Sequence, residues 1–297
     1  MIWDRFEKDK KEIESIYVDR MWNPESGLSP NELHDGCHAI AKECEGMPRI
    51  VAKTRMYKFV LENAQLDVRE ADFFPERLRH DYLISKIREE WIKSLRANEM
   101  HDVLALHEMG QEGRCYTGNI DLGHVAPDWQ ALLDFGLVGL LKRAKNAHKR
   151  EGLTKEQTTF YECVESVLES TLTLVKRLAD EMAKHGTDRA ALVSESLYNL
   201  TVRAPQTMLE AMQLCMIFYN LQTHVEREPI RSVGGLDRLF YPYYKSDLES
   251  GRFTEGQLRE LLRHYFYKFY SMKVVANVPF YLGGRLSDGS GAVNELS

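Results

Sequence analysis

A mostly helical fold is predicted by three features of the sequence. Capping signals recur along the chain, apolar residues return at threes and fours behind them, and strand-like runs are few and late. The 297 residues are 43% apolar and 28% charged, with 39 Lys and Arg against 45 Asp and Glu for a net charge of −6, the balance of an ordinary globular chain. No Pro/Gly/Ser linker, fixed-period repeat or low-complexity tract divides it, so a single unit over residues 1–297 is expected.

Taken in order, the first element is announced by Ser29-Pro30-Asn31-Glu32: an N-cap serine, proline at the first helical position and glutamate three residues after the cap. A helix is expected to start near Pro127. Thr154-Lys155-Glu156-Gln157 repeats the capping-box logic. Behind it Phe160, Cys163, Val164, Val167, Leu168, Leu172, Val175, Leu178 and Ala179 mark one stripe of a long amphipathic helix. Thr207 with Glu210 opens another, whose apolar face reads Leu209, Met212, Cys215, Met216 and Tyr219, and Thr254 with Gln257 opens one more before Leu258, Leu261, Leu262 and Tyr265. Val274 to Leu282 is β-branched and aromatic and reads as a strand that Pro279 confines to an edge, a bulge or an end; Ile230 to Val233 is a weaker candidate. After glycine-rich turn chemistry over 283–291, Ala292 to Ser297 begins an element too short to hold itself together. This predicts that a partner chain completes it or that the sequence is part of something larger.

Composition also excludes function classes. A mildly acidic chain offers no basic field for a phosphate backbone, so nucleic acid is not an expected partner. The most apolar stretch, Leu132 to Leu141, contains Asp134 and is far too short for ~30 Å of hydrocarbon. The first residues lack the apolar block of a secretory signal, which places the protein in the cytoplasm. The five cysteines, Cys37, Cys44, Cys115, Cys163 and Cys215, show no Cys-x-x-Cys spacing, so neither a disulfide framework nor a metal site is expected.

Two polar segments interrupt the helical background. Gly118 to Trp129 is a glycine-bearing loop feeding a helix, and its His124 either offers an imidazole to a pocket or braces the turn. Asp128 is accounted for by the helix dipole. Glu226 to Arg238 packs charges around Gly234-Gly235, where paired glycines permit close approach or positive φ. Arg231 and Arg238 could hold a carboxylate and Ser232 offers a hydroxyl; equally, the segment is a solvated turn with its charges paired to Glu226, Glu228 and Asp237. It is not a phosphate loop, because no Gly-Lys-Ser/Thr follows. The rings of Phe240, Tyr241, Tyr243 and Tyr244 and of Tyr265 to Tyr270 read as packing rather than a base-stacking surface.

Four stretches in this order resemble the amino-terminal part of glycyl radical enzymes, the pyruvate formate-lyase-like family. They are Gly123-His124-Val125-Ala126-Pro127-Asp128-Trp129; Leu200 to Thr207 with Glu210-Ala211; Arg231 to Tyr244; and Asp247 to Thr254. The resemblance covers roughly residues 50 to 297. It implies an α/β fold, mostly helical here: the amino-terminal part of a ten-stranded barrel of two half-barrels wrapped by helices, with two loops meeting inside. One loop carries the cysteine that becomes a thiyl radical, the other the glycine that stores the radical. No cysteine of this sequence stands in the family's Gly-Cys-x-Glu setting; Cys163-Val164-Glu165 follows Glu162 and lies in a long helix. The resemblance therefore gives no catalytic residue here, no directly bound cofactor and no metal, and implies an incomplete portion of a larger enzyme.

It implies substrate contacts at two positions. His124 resembles a substrate-contacting position that is histidine in some dehydratase-like members and arginine in the formate-lyase branch. Ser232 falls in a stretch similar to Ser-x-Gly-Arg-x-Asp, although Gly235 replaces its arginine. Further implications are a small-molecule substrate, a radical S-adenosylmethionine activase that installs the glycyl radical, homo-oligomeric assembly and anaerobic metabolism by radical C–C, C–O or C–N cleavage. A non-catalytic helical subunit that kept the scaffold, with open strand edges and apolar surface seeking company, is the competing expectation.

Overall fold

The computed structural model describes residues 2–17, 26–80, 83–99, 101–113, 126–226, 232–272 and 280–297. The amino-terminal half holds α1 (Phe6–Tyr17), α2 (Pro30–Glu43), α3 (Arg49–Asn63), α4 (Leu83–Glu99) and α5 (His101–Glu112). It is followed by α6 (Trp129–His148), α7 (Lys155–Ala183), α8 (Asp188–Leu200), α9 (Met208–Asn220), α10 (Leu236–Glu249) and α11 (Glu255–Met272). A π-helical turn, Leu221–Val225, continues α9.

The expected starts are found where the caps put them. Ser29 and Glu32 form a reciprocal capping box before α2, Thr154 and Gln157 do so before α7, and Thr254 and Gln257 exchange the same bonds at 2.8 and 3.3 Å before α11. Asp128 is the N-cap of α6, its Oδ1 accepting the Ala131 amide at 2.9 Å, so its carboxylate is accounted for by the helix end. The 29-residue α7 is the spine: α3, α6 and α8 pack along it.

Helix α9 departs from the single apolar face expected of it. Met208 to Ile217, Tyr219 and Asn220 are all buried, Glu210 and Gln213 included. A helix enclosed on every side must satisfy its polar groups internally. Gln213 donates to the Phe73 carbonyl at 3.0 Å and accepts the Ser196 hydroxyl at 2.9 Å, and Asn220 donates to the Glu76 carbonyl at 2.9 Å. Helix α6 is broken at Gly136, whose φ of 58° and ψ of 176° are not helical.

Strand structure among the described residues is sparse, so the ten-stranded barrel is not seen in them. β1 (Gln65–Leu66) and β2 (Leu78–Arg79) pair antiparallel, and isolated bridges join Leu28 to Ala64, Gly235 to Tyr281 and Arg285 to Gly291. Of the expected strand at 274–282 only Phe280 to Leu282 lie within the described residues, and there Tyr281 forms a bridge rather than a strand; Ile230 lies outside them. The 292–297 stretch does not begin a helix: the Ser297 amide bonds the Asn294 carbonyl at 2.9 Å and the Ser297 hydroxyl reaches Asp237. Four cysteines, Cys37, Cys44, Cys163 and Cys215, are buried free thiols, and burial pushes Cys37 up to about 11 and Cys215 higher. Cys115 lies outside the described residues. Of the aromatic residues expected to pack, Phe240 and Tyr265 are buried, the Tyr265 ring meeting Phe74, Phe240 and Phe269 edge-on, whereas Phe266 and Tyr270 are exposed. Among the described residues no helix is long and apolar enough to cross a membrane.

The loop between β1 and β2 was not anticipated from sequence, and it is the most polar part of the interior. Asp67, Asp72 and Glu76 are buried in it, and His80, just past β2, is buried beside them in sequence. Lys268 of α11, also buried, donates to Asp72 at 2.6 Å and to Glu76 and the Phe74 carbonyl. Asp67 binds Arg69 at 2.5 Å and Arg77 at 3.3 Å. Arg189 of α8 pairs with Asp9 at 2.5 Å while lying 4.4 Å from the centre of the Phe73 ring. These bonds tie α1, α8, α9 and α11 to one loop.

Candidate functional site

The two polar segments singled out in the sequence meet at their described ends. Trp129, the first residue of α6, is buried, and its indole N–H donates to the Ser232 carbonyl at 3.0 Å across 103 residues of sequence. The Ser232 hydroxyl accepts the Gly234 amide at 2.9 Å, closing a small turn that Gly234 completes at φ +74°. A side chain at Gly234 would stand 3.5 Å from the Trp129 ring. Positive φ, not crowding, is therefore what calls for glycine there. Among the described residues no acceptor engages the half-buried Ser232 O–H, which stays available as a donor.

From Gly234 onward the segment is clamped on its other side. The Tyr281 amide donates to the Gly234 carbonyl at 3.0 Å and the Leu236 amide to the Tyr281 carbonyl at 3.1 Å. In the first turn of α10, the buried Asp237 carboxylate accepts the amides of Gly283 at 2.6 Å and Arg238 at 2.8 Å together with the Ser297 hydroxyl. Burial works against its charge, but the hydrogen bonds from Ser297, Gly283 and Arg238 prevail and hold its pKa below the usual carboxylate value. Among the described residues Asp237 is thus engaged by two backbone amides and one hydroxyl, with no bond from the Arg238 guanidinium. Arg238 is exposed at the rim. Glu226 pairs instead with Lys53 of α3. His124, Arg231 and Glu228 lie outside the described residues.

The other two motif stretches are architectural. Arg203 and Glu210 form a bidentate pair at 2.7 and 2.8 Å, and Glu210 also accepts the Gln206 amide at 2.7 Å and the Asn199 amide group at 3.0 Å. Glu210 therefore seals the turn from α8 into α9. Asp247 of α10 accepts the Met208 amide at 2.8 Å, capping α9 from outside, and takes Arg252 at 3.2 Å. Burial raises the Asp247 pKa, opposed by the Met208 amide and Arg252. The sequence pattern marked these residues without revealing that they hold helix ends together.

A separate groove of about 520 Å³ opens between α3, α6, α7 and the π-helical turn, lined by Tyr57, Leu140, Cys163, Val167 and Leu168, with Lys53 and Glu226 at its polar side. Ser232 does not line it. Among the described residues no cluster of three or more His, Cys, Asp or Glu could hold a metal.

The sequence model of the pyruvate formate lyase-like family matches residues 41–297. The 4-hydroxyphenylacetate decarboxylase glycyl radical subunit of Clostridioides difficile strain 630 is 25% identical over 271 residues, covering 81% of this chain and 28% of that protein. The probable dehydratase YbiW of Escherichia coli K12 is 29% identical over 165 residues, 51% of this chain and 20% of that one. In fold, a glycyl radical enzyme from Archaeoglobus fulgidus matches with a TM-score of 0.70 at 19% identity, over 99% of this chain and 45% of that one. The B12-independent glycerol dehydratase of Clostridium butyricum matches with a TM-score of 0.68 at 18% identity, over 99% and 44%. The chain thus spans under a third of these curated relatives and under half of these solved structures. With four motif stretches in order, a family match over most of its length and the helical architecture of those enzymes, this chain belongs to the pyruvate formate lyase-like family.

Proposed function

We propose that this chain forms the amino-terminal, helix-wrapped part of a ten-stranded glycyl radical barrel, and that the complete enzyme cleaves a C–C, C–O or C–N bond of a small molecule in anaerobic metabolism. The observation that carries the reading is the Trp129–Ser232 contact, which brings the ends of two family stretches together beside a serine whose O–H meets no acceptor among the described residues. In this reading Ser232 donates a hydrogen bond to the substrate, and His124 orients it or assists proton transfer. The surrounding helices exclude water and stray hydrogen donors while a substrate radical exists, so positioning matters more than strong acids or bases. The thiyl cysteine and storage glycine belong to loops absent from this sequence, and a radical S-adenosylmethionine activase installs the radical. Histidine at 124 favours dehydratase-like over formate-lyase chemistry. Assembly as a cytoplasmic homo-oligomer completes the proposal.

The test uses the polypeptide of the gene's whole reading frame, activated without oxygen. The compounds to supply are glycerol, 1,2-propanediol, trans-4-hydroxy-L-proline and 4-hydroxyphenylacetate, those named for relatives and structural neighbours. For the compound turned over, Ser232→Ala is expected to raise KM about tenfold, the loss of one neutral hydrogen bond, with the radical yield unchanged. An unchanged KM removes Ser232 from the site. Turnover of none of the four by protein carrying the radical contradicts the substrate class.

A further inference from the structure

Helix α2 presents a pair of histidines that neither the packing nor the radical chemistry uses. His34 and His38 stand one helical turn apart, so their rings overlap on one face. The ring centroids are 4.3 Å apart, and the two Nε2 atoms face each other at 3.0 Å. Both side chains are exposed, whereas Leu33 and Cys37 on the other side of the helix are fully buried. The Ser29–Glu32 capping box fixes the first turn of α2, and the rings project from the two turns that follow it.

That spacing carries chemical information. A metal ion about 2.0–2.1 Å from each imidazole nitrogen would see them at an angle of ~95°. A tetrahedral angle of ~109° would need the nitrogens about 3.4 Å apart. In the metal-free chain this 3.0 Å contact is an N–H···N hydrogen bond between the two rings, and the same spacing also fits two neighbouring positions of an octahedral or square-planar sphere, the preference of nickel and copper ions with nitrogen ligands. Asp35 Oδ1 lies 3.6 Å from His34 Nδ1, the ring nitrogen turned away from His38. At that distance the carboxylate makes no hydrogen bond to the ring and contributes only a nearby negative charge. Among the described residues no third His, Cys, Asp or Glu joins the pair, which leaves the other positions to water. We propose that His34 and His38 form a bidentate surface site for a divalent transition metal of the nickel and copper class. The proposal is independent of the radical reading.

Isothermal titration calorimetry of the 297-residue chain with Ni2+, Cu2+ and Zn2+, in a buffer that does not coordinate metal, tests it. One equivalent of Ni2+ or Cu2+ is expected to bind more tightly than Zn2+, and His34→Asn and His38→Asn should each weaken binding by about tenfold or more. His101→Asn is the control, since His101 is exposed beside Asp102 at 2.8 Å and has no histidine one turn away; it should leave binding unchanged. Far-ultraviolet circular dichroism and the metal-free unfolding midpoint should be the same for all variants, because the replaced side chains are exposed. No saturable binding, binding that survives either substitution in the pair, equal loss in His101→Asn, or preference for Zn2+ would each overturn the proposal.

Discussion

His264 is enclosed by charge yet holds none. Its ring packs edge-on against Phe6 at 5.1 Å and Phe73 at 5.0 Å, and neither ring nitrogen has a hydrogen-bond partner among the described residues. Asp9 and Glu260 lie 3.8 Å from Nε2. Burial first, and then Arg189, Arg263 and Arg5, nonetheless drive its pKa down to about 3. Burial likewise lowers His80 to about 3 and His224 to about 4. All three stay neutral when folded and take up protons near the ordinary histidine value of about 6.5 when unfolded. The unfolded chain then binds more protons, so stability is complete above about pH 6.5 and falls as pH drops, by ~1.4 kcal/mol per pH unit for each histidine until its folded pKa is reached. His264→Phe, which keeps the ring contacts, should flatten the slope of unfolding free energy between pH 4 and 6 by about one such increment. Urea titrations across that range check it, and an unchanged slope would show that His264 does not titrate on unfolding.

At the scale of elements, what could be read in advance was what depends on neighbours in sequence. The capping boxes at Ser29, Thr154 and Thr254 act over three residues, and each begins its helix as expected. The all-round burial of α9 was not legible, because Glu210 and Gln213 look like a polar face until Arg203 and the Phe73 carbonyl are seen to meet them. Nor was the buried loop of 67–77, whose Asp72 and Glu76 are matched by Lys268 from nearly two hundred residues away. At the candidate site Ser232 and the tie to Trp129 lie in segments the sequence had flagged, but the role of Asp237 as a backbone clamp depends on Gly283 and Ser297, which no local pattern links to it. The break in α6 is an element-scale consequence of one residue. Gly136 adopts a backbone conformation closed to other residues, and a Cβ there would lie 2.8 Å from the Ala204 Cα. Gly136→Ala should therefore cost about 2–4 kcal/mol in unfolding free energy, by strain and by pushing α6 off the turn that precedes α9. A loss below about 0.5 kcal/mol in chemical denaturation would show that α6 can straighten freely.

Across the whole molecule, one organisation recurs: helices packed on the α7 spine, their ends fixed by buried carboxylates. Glu210 seals α8 to α9, Asp247 caps α9 from α10, and Asp237 ties α10 to 283 and 297. All four stretches that carry the family likeness thus contribute scaffold bonds, and the Ser232 turn is joined to that scaffold by Trp129 and by the bridge between Gly235 and Tyr281. The proposed radical chemistry calls for bonds of this kind, because misplacement by an ångström is costly where positioning does the chemistry. The central claim, that this scaffold belongs to a chamber for radical chemistry, is tested most directly by electron paramagnetic resonance. The polypeptide of the gene's whole reading frame, incubated without oxygen with its radical S-adenosylmethionine activase and S-adenosylmethionine, should yield the doublet of a carbon-centred glycyl radical that exposure to air destroys. If an activase proven competent on another glycyl radical enzyme and the activase of the same gene neighbourhood both leave the protein without a radical signal, the claim is contradicted.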